Sequence, residues 1–302
     1  MNIAITGSSG FVGGHLMRSL AGEGHRIVSI SRRSGLDITT PKSLVTALTD
    51  CDTVAHCAGI NREIGVQTYR AVHVDGTWAV VDAARAAGVR KIILMSFLRA
   101  RPHCGSPYHE SKWEAEDIVR RSGLDYTIVK AGMTYGLGDH MLDHLSHSLH
   151  TLPVFATVGM TEQPIRPLAV SDLVRILRAA IESDRLSRQT VAAVGPEELQ
   201  LSEAVRRVAK VLGRSVVVLP SPIVLQYAFA QVFECTMKVP LVAKAQVRIL
   251  SEGVDPTGPC EPLPPDLVPR LRFSEEMIRA GLPKAGAFGL RDLRFCHRRA
   301  EN

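Results

Sequence analysis

The sequence lacks the cysteine patterns of metal-bound and disulfide-stabilised proteins. Its 302 residues include six cysteines, and no two of them form a C-x-x-C pair. Their spacing is irregular: Cys51, Cys57, Cys104, Cys235, Cys260 and Cys296. We therefore expect neither a zinc site nor a disulfide framework. Unpaired thiols are typical of the reducing cytoplasm, which is the predicted location.

Long basic runs and long uninterrupted apolar runs are also missing. The net charge is +6, but lysines and arginines are scattered, so no nucleic-acid partner is expected. No basic leader precedes the first apolar residues, which argues against a signal peptide. The uncharged run 215–233 is interrupted by Pro220 and Pro222. It predicts a short strand, a turn and an apolar-faced helix rather than stable membrane insertion.

What the sequence does contain is a regular alternation of apolar runs and helical patterns. The predicted strands are NIAIT, RIVSISR, CDTVAHCAG, RKIILMS and DYTIVKAG. Helical patterns lie between them, among them PKSLVTALTD and VHVDGTWAVVDAARAAGV. Because the strands are continuous apolar runs, both faces of the sheet should be covered. The pattern predicts an α/β fold with a doubly wound parallel sheet, a Rossmann fold.

Three glycines follow the first predicted strand directly and open the first helix. Gly7, Gly10 and Gly13 have the spacing G-x-x-G-x-x-G. A phosphate needs close backbone approach there, and a helix N-terminus offers unpaired N–H groups. The loop predicts a dinucleotide site formed by Gly7, Ser9, Gly10, Phe11, Val12 and Gly13. The alternative is a glycine turn that serves only tight packing.

The second predicted strand ends in cations. An acidic residue there would bind the ribose hydroxyl of NAD, whereas Arg32 and Arg33 suit the 2′-phosphate of NADP. NADP is therefore the expected cofactor, with NAD possible, and two solvated arginines are the alternative. Asp37 is expected to touch the adenine amine or to start a turn. Ile38, the next residue, is assigned to the same site.

With these features together, the sequence resembles the short-chain dehydrogenase/reductase superfamily. It is most similar to the extended and atypical branches, which include epimerases, dehydratases and the nucleotide-binding accessory subunit of respiratory complex I. The resemblance covers about residues 1–180 and rests on TGSSGFVGGHL, HCAG, HVDGT, SPYHESKWEAE and PLAVSDLVRIL. It implies cofactor contacts from Cys57, Ala58, Gly59, His73 and Lys112. Family members usually have Asn where His73 stands and Arg-Pro where Lys130 and Ala131 stand.

Tyr108 and Lys112 lie four positions apart on a predicted helix and therefore share one face. A nearby ammonium favours the phenolate, so the pKa of Tyr108 is expected to fall. Such a tyrosine can exchange a proton with an alcohol or carbonyl oxygen while a hydride moves at the adjacent carbon. Ser96 ends the preceding strand and is predicted to hold the substrate oxygen, with Ser106 as the alternative. Otherwise Tyr108 merely packs and Lys112 is solvated.

The C-terminal half of the sequence differs from the N-terminal half in its pattern of apolar runs and in composition. We expect a dinucleotide-binding domain over residues 1–150. A smaller region over 151–302 would cap the substrate cleft and partly return to the sheet, with 223–237 as an apolar wall or lid. The Pro-rich residues 254–269 predict an extended loop. The protein is expected to be a monomer or a homodimer.

Four histidines recur at spacings of four and three in one helical stretch: His140, His144, His147 and His150. This spacing could align imidazoles as metal ligands. Asp143, the nearby acid, lies off that face. Because no other carboxylate and no cysteine completes a site there, no metal is expected. The alternative role of this stretch is a polar helix that lines the cleft.

These features predict an NADP-dependent oxidoreductase acting on a carbonyl or alcohol of an unidentified apolar small molecule. One alternative is a non-catalytic NAD(P)(H)-binding sensor or assembly protein. Another is a nucleotide-sugar epimerase or dehydratase, in which Arg166 of QPIRPL would bind a substrate phosphate.

Overall fold

The computed structural model describes residues 1–237, 242–283 and 286–287. Within them the chain forms two compact units. The first contains residues 1–132, 170–194 and 255–270. The second contains residues 133–169, 195–254 and the described residues from 271 onward. The boundary expected near residue 150 falls inside the first segment of the second unit.

Six parallel strands form the sheet of the first unit. They are β1 (Asn2–Thr6), β2 (Arg26–Ile30), β3 (Thr53–His56), β4 (Lys91–Phe97), β5 (Asp125–Ala131) and β9 (Gln189–Ala193). Their order is β2-β1-β3-β4-β5-β9, and every neighbouring pair is parallel. The direction of winding reverses between β1 and β3. Ligands of open α/β sheets bind at such a switch point, beyond the carboxyl ends of the strands.

Helices cover both faces of this sheet. On one face, α2 (Pro41–Leu48), α3 (Gly76–Ala86) and α4 (Pro107–Arg120) share an apolar cluster with the strands. On the other, α1 (Phe11–Leu20) and α6 (Val170–Glu182) pack against each other and against the sheet. Burial on both faces explains why the strands are continuous apolar runs. The predicted doubly wound parallel sheet is confirmed.

Two late segments of the chain belong to the first unit. The strand β9 pairs with β5 as the sixth strand. Residues 255–270 follow irregular backbone, in which the Glu261 N–H donates to the Thr190 carbonyl at 2.7 Å. The proline-rich stretch is thus held beside the edge strand of the sheet.

The described residues of the second unit form two small parallel sheets and five helices. β6 (Thr134–Tyr135) pairs with β8 (Leu168–Ala169), and β7 (Val154–Val158) pairs with β10 (Val217–Ser221). The helices are α5 (His140–Thr151), α7 (Leu201–Val211), α8 (Ile223–Thr236), α9 (Lys244–Glu252) and α10 (Glu275–Gly281). The strand and helix predicted over 215–233 correspond to β10 and α8. Across the described ranges, no helix has the length and apolar character needed to cross a bilayer.

Candidate active site

Glycines bring three segments together at the carboxyl end of β1. Gly7 has a φ of 65°, in the left-handed region that favours glycine. A Cβ at this position would lie 2.7 Å from the Ala58 backbone, so a side chain is excluded. A Cβ on Gly13 would collide with the Gly7 carbonyl. These glycines therefore let α1 start directly at the sheet edge, against the loop that follows β3.

The N-terminus of α1 offers backbone donors to an anion. Gly10 is the N-cap, and among the described residues no side chain caps this helix or puts an acid in its first turn. Ser9 and Gly10 are exposed, whereas Phe11 and Val12 are half-buried. Unpaired N–H groups and the positive end of the helix dipole favour a phosphate here. This cradle, which any Cβ would fill, fits the pyrophosphate of a dinucleotide.

The loop after β2 carries the two predicted arginines. The 3₁₀ turn Arg32–Ser34 is capped by the Ser31 side chain, and both arginines are exposed. The Asp37 carboxylate accepts hydrogen bonds from the N–H and the hydroxyl of Thr39, both at 2.9 Å. Asp37 thus starts a turn, one of its two predicted roles. Ile38 is buried in the apolar cluster of the first unit.

The loop of Cys57, Ala58 and Gly59 is fixed to β1 by Thr6. The Thr6 carbonyl accepts from the Cys57 N–H, and the Thr6 hydroxyl oxygen accepts from the Ala58 N–H, each at 3.2 Å. Burial raises the pKa of the Cys57 thiol to about 12. The thiol is therefore protonated at neutral pH and is not a nucleophile.

Beneath this loop, His56 joins two threonine hydroxyls. Its Nδ1 lies 2.6 Å from Thr6 Oγ1 and its Nε2 lies 3.0 Å from Thr77 Oγ1. The Thr77 hydroxyl donates to the His73 carbonyl, so His56 Nε2–H must donate to Thr77. Burial, with a smaller effect of Lys112, lowers the pKa of His56 to about 3. The imidazole is neutral, and the direction of each hydrogen bond between His56 and the two threonines is fixed.

His73 connects the loop after β3 to helix α4. It lies in the π-helical turn Arg70–Asp75, directly before α3. Its Nε2 accepts from the Ile60 N–H at 3.1 Å, so a neutral ring carries its proton on Nδ1. That proton is donated to Ser111 Oγ at 2.9 Å, and Ser111 donates to the Tyr108 carbonyl at 3.0 Å. Burial lowers the pKa of His73 and keeps the ring neutral.

Tyr108 lies in the first turn of α4 and is 7% exposed. Four aromatic rings surround it at centroid distances of 5.3–5.8 Å: Tyr69, His73, Phe97 and His109. Burial, with a smaller effect of Tyr69, raises the pKa of Tyr108. The predicted fall of this pKa is wrong, because desolvation of the phenolate dominates. The phenol is protonated at neutral pH.

Lys112 follows Tyr108 by one helical turn and is also buried, at 9% exposure. Its Nζ donates to the Met95 carbonyl at 3.4 Å. A Cβ on Gly59 would lie 3.0 Å from this Nζ, so the lysine reaches the loop after β3. Burial lowers the pKa of Lys112 to about 8, which leaves the amine charged at neutral pH. The alternative of a solvated lysine is wrong.

Ser96 has a buried partner of its own. Its hydroxyl donates to Glu116 Oε1 at 2.6 Å. Glu116 is fully buried, accepts from Arg120 at 2.7 Å and lies 3.4 Å from Lys130 Nζ. The predicted substrate-holding hydroxyl is thus engaged by a carboxylate in this structure. Ser106, the alternative, bonds His109 Nδ1 at 2.6 Å.

Ser111 and Glu116 were not among the predicted site residues. A signal for Glu116 exists, because Tyr108, Lys112, Glu116 and Arg120 recur at intervals of four. That spacing puts all four on one face of α4. Ser111 precedes Lys112 directly, but nothing local identifies it as the partner of His73.

The remaining predicted residues lie in the second unit. Arg166 Nε donates to the Gly195 carbonyl at 3.0 Å. On α5, His147 Nδ1 and His150 Nδ1 bond carbonyls of their own helix, at 2.8 and 2.7 Å. Burial lowers the pKa of His144 to about 4.

Elsewhere in the described part of the chain, Glu23, His25 and Glu182 form one group with the spacing of metal ligands. Arg178 forms ion pairs with both of these acids. The group is therefore an ion-pair cluster around a guanidinium.

The glycines form a cradle at the switch point of the parallel sheet, and the buried Lys112 reaches the loop after β3. Together these features define a dinucleotide-binding α/β protein. The chain belongs to the NAD dependent epimerase/dehydratase family, whose model matches residues 3–195. This family is nicotinamide-dependent, and the resemblance inferred from the sequence is confirmed.

The proteins similar to this chain are named for different activities, among them a reductase and an assembly factor. The chain is 30% identical to ceramide reductase of Caulobacter vibrioides, over 73% of this chain and 74% of that protein. It is 26% identical to the photosystem II assembly factor Ycf39 of Synechocystis, over 71% and 69%. Uncharacterized mycobacterial proteins also match, and the alignment spans only 27% of their length. The structure of MoeE5 with UDP-glucuronic acid and NAD has a TM-score of 0.70 at 19% identity, covering 93% of this chain and 97% of that one, which shows the shared fold.

Proposed function

We propose that this protein is an NADP-dependent oxidoreductase that transfers hydride between nicotinamide and a carbonyl or alcohol of an apolar small molecule. One observation carries the proposal. The Lys112 ammonium is buried beside Gly59 at the carboxyl edge of the sheet, one helical turn from Tyr108. A desolvated cation with a shifted pKa at a ligand-binding edge is typical of a functional site.

Different residues of the site would bind different parts of the cofactor. The α1 loop would hold the pyrophosphate through Gly7, Ser9, Gly10, Phe11, Val12 and Gly13. Arg32 and Arg33 would bind a 2′-phosphate, and Lys112 would hold the nicotinamide ribose. Cys57, Ala58 and Gly59 would contact the cofactor along the edge of β3, in a loop that His73 keeps in place. The bound nicotinamide supplies or accepts the hydride.

Tyr108 would act as the acid that protonates the substrate oxygen. Because burial raises its pKa, the phenol holds its proton at neutral pH and can donate it as negative charge develops on a carbonyl oxygen. The charge of Lys112 then stabilises the phenolate left behind. A protonated phenol is the form that carbonyl reduction needs, whereas alcohol oxidation needs the phenolate.

The proposed substrate class is a carbonyl compound with an apolar chain. The 30% identity with a ceramide reductase over most of both chains supports this choice.

The test is a screen of ketones of increasing chain length, with NADPH oxidation followed by absorbance. We expect turnover of apolar ketones and a loss of about 100-fold in kcat for Tyr108→Phe, with NADPH affinity little changed. Tyr126→Phe, in β5, is the matched control and should keep wild-type turnover. Equal turnover by Tyr108→Phe and wild type would rule out the assigned acid.

A second candidate is a dinucleotide-binding assembly or sensor protein. Two observations favour it: Ser96 and Ser106 both have internal hydrogen-bond partners, and the chain is similar to Ycf39, named as an assembly factor. In that case NADPH binds, no ketone is reduced, and Tyr108→Phe behaves as wild type.

A further inference from the structure

The sheet of β7 and β10 has one apolar face that is exposed over the first residues of both strands. Further along the same face, Val158 packs with Ala230 of α8 and Val247 of α9. Side chains alternate between the two faces of a strand. Phe155 and Val218 pack on the core of the second unit. On the other face, Val154, Val217 and Leu219 are 45%, 56% and 50% exposed. Val154 and Val217 are paired in register and therefore lie side by side.

Helix α8, which follows β10, is unusually apolar on its outer side. Only Gln226 and Ala230 are buried among its 14 residues, and Glu234 is its one charged residue. The exposed apolar side chains include Ile223, Val224, Leu225, Phe229 and Val232, with Val224 81% exposed. A helix on a water-facing surface normally presents charged and polar residues there.

The helix and the sheet face are joined. Gln226 Nε2 donates to the carbonyls of Ala156 and Thr157 at 3.3 and 3.2 Å, which anchors α8 on β7. The Gly159 N–H donates to the Ser221 carbonyl at 2.8 Å, so the residues that follow β7 adjoin the end of β10. We call the joined surface the apolar patch: Val154, Met160, Val217, Leu219, Ile223, Val224, Leu225, Phe229 and Val232. Contiguous apolar surface of this kind marks an interaction site.

The charges around the apolar patch have one predominant sign. Residues 215–233 carry no charge, while Arg214 precedes them and Lys244 begins α9, which packs on α8. Arg214 and Lys244 are exposed. Between positions 214 and 252 the sequence has four basic residues and two acids, of which Glu252 pairs with Arg248. Protein interfaces usually have a polar rim, whereas apolar side chains flanked by cations complement an anionic lipid surface.

We propose that the apolar patch docks this protein on a bilayer surface that contains anionic lipids. The exposed side chains of α8 and β10 insert at the headgroup boundary, and Arg214 and Lys244 contact lipid phosphates. All residues of the apolar patch belong to the second unit, and none of them is assigned to the dinucleotide site.

The test is co-sedimentation of the full-length protein with vesicles of phosphatidylcholine, with and without phosphatidylglycerol. We expect binding to the anionic vesicles to be about tenfold or more stronger than to the neutral ones. The double variant Val224→Glu/Phe229→Glu should lose at least about tenfold in affinity. Val66→Glu, at a 92% exposed position of the first unit, is the matched control and should bind as wild type.

Circular dichroism and thermal unfolding of each variant establish that the fold is intact. Arg214→Glu/Lys244→Glu leaves every apolar side chain in place and should weaken only the binding to anionic vesicles. The proposal is overturned if wild type binds neither vesicle, or if the Val224→Glu/Phe229→Glu variant binds as wild type. A wild-type dimer that this variant dissociates, without vesicle binding, would assign the patch to a second copy instead.

Discussion

Single residues in the site have protonation states that their neighbours fix. His56 and His73 are neutral because burial lowers their pKa values. Each ring has one nitrogen that donates and one that accepts, and Ser111 continues the chain from His73 to the Tyr108 carbonyl. The sequence could not reveal this arrangement, because His73 and Ser111 are 38 positions apart. The result is a rigid connection between the loop after β3 and helix α4.

Lys112→Met should stabilise the fold at neutral pH. Burial lowers the pKa of Lys112 from 10.5 to about 8, so the folded protein holds a desolvated ammonium at pH 7. This costs up to about 3 kcal/mol, which methionine avoids while it keeps an unbranched apolar chain. From about pH 8 to 10.5 the unfolded chain binds more protons than the folded one, so the free energy of unfolding of the wild type rises with pH. The stability advantage of Lys112→Met over the wild type therefore shrinks across this interval. Urea denaturation across this interval measures the difference.

The same substitution at the exposed Lys244 is the control and should change the free energy of unfolding by less than about 0.5 kcal/mol. A lower free energy of unfolding for Lys112→Met at pH 7 would contradict the view that the buried ammonium is costly. NADPH affinity, measured on the same samples, should fall for Lys112→Met and stay unchanged for Lys244→Met.

At the level of elements, local patterns located the helices and strands but not their irregularities. The stretch VHVDGTWAVVDAARAAGV predicts one continuous helix. The structure instead has a π-helical turn at Arg70–Asp75, followed by α3 from Gly76. The turn presents His73 to Ile60 and Ser111, contacts that helical periodicity cannot encode. Similarly, the end of β4 identified Ser96, but its partner Glu116 comes from the next helix.

The crowding of backbone around Gly7, between β1 and α1, can be tested by substitution. Gly7 and Gly213 share a φ of 65°, but a Cβ meets the Ala58 backbone at Gly7 and open space at Gly213. Gly213→Ala should therefore cost only backbone strain, about 1 kcal/mol of unfolding free energy. Gly7→Ala should cost at least about 2 kcal/mol, because overpacking adds to that strain, and should abolish dinucleotide binding. Chemical denaturation compares the two, and equal losses would refute the crowding argument.

For the whole molecule, the sheet was predictable, whereas the sequence did not identify which of the later segments return to it. Most strands coincide with a buried apolar run, although the edge strand β2 is buried only at Ile30, so the α/β alternation is visible locally. The assignment of residues 170–194 and 255–270 to the first unit depends on contacts with distant segments, such as that of Glu261 with Thr190. The glycine loop and the Tyr108–Lys112 pair were predictable because each lies within one short stretch of the chain. The raised pKa of Tyr108 was not predictable in this way, because it follows from burial in the fold, where four rings surround the phenol.

The most direct measurement is a fluorescence titration of the purified protein with NADPH and with NADH. We expect NADPH to bind at least about tenfold more tightly, since Arg32 and Arg33 provide charge-assisted hydrogen bonds to the extra phosphate. The variant Arg32→Ser/Arg33→Ser should bind both dinucleotides equally, with NADH affinity as in wild type. Binding of neither dinucleotide by wild type would contradict the assignment of the glycine cradle, and tighter binding of NADH would contradict the role of the two arginines.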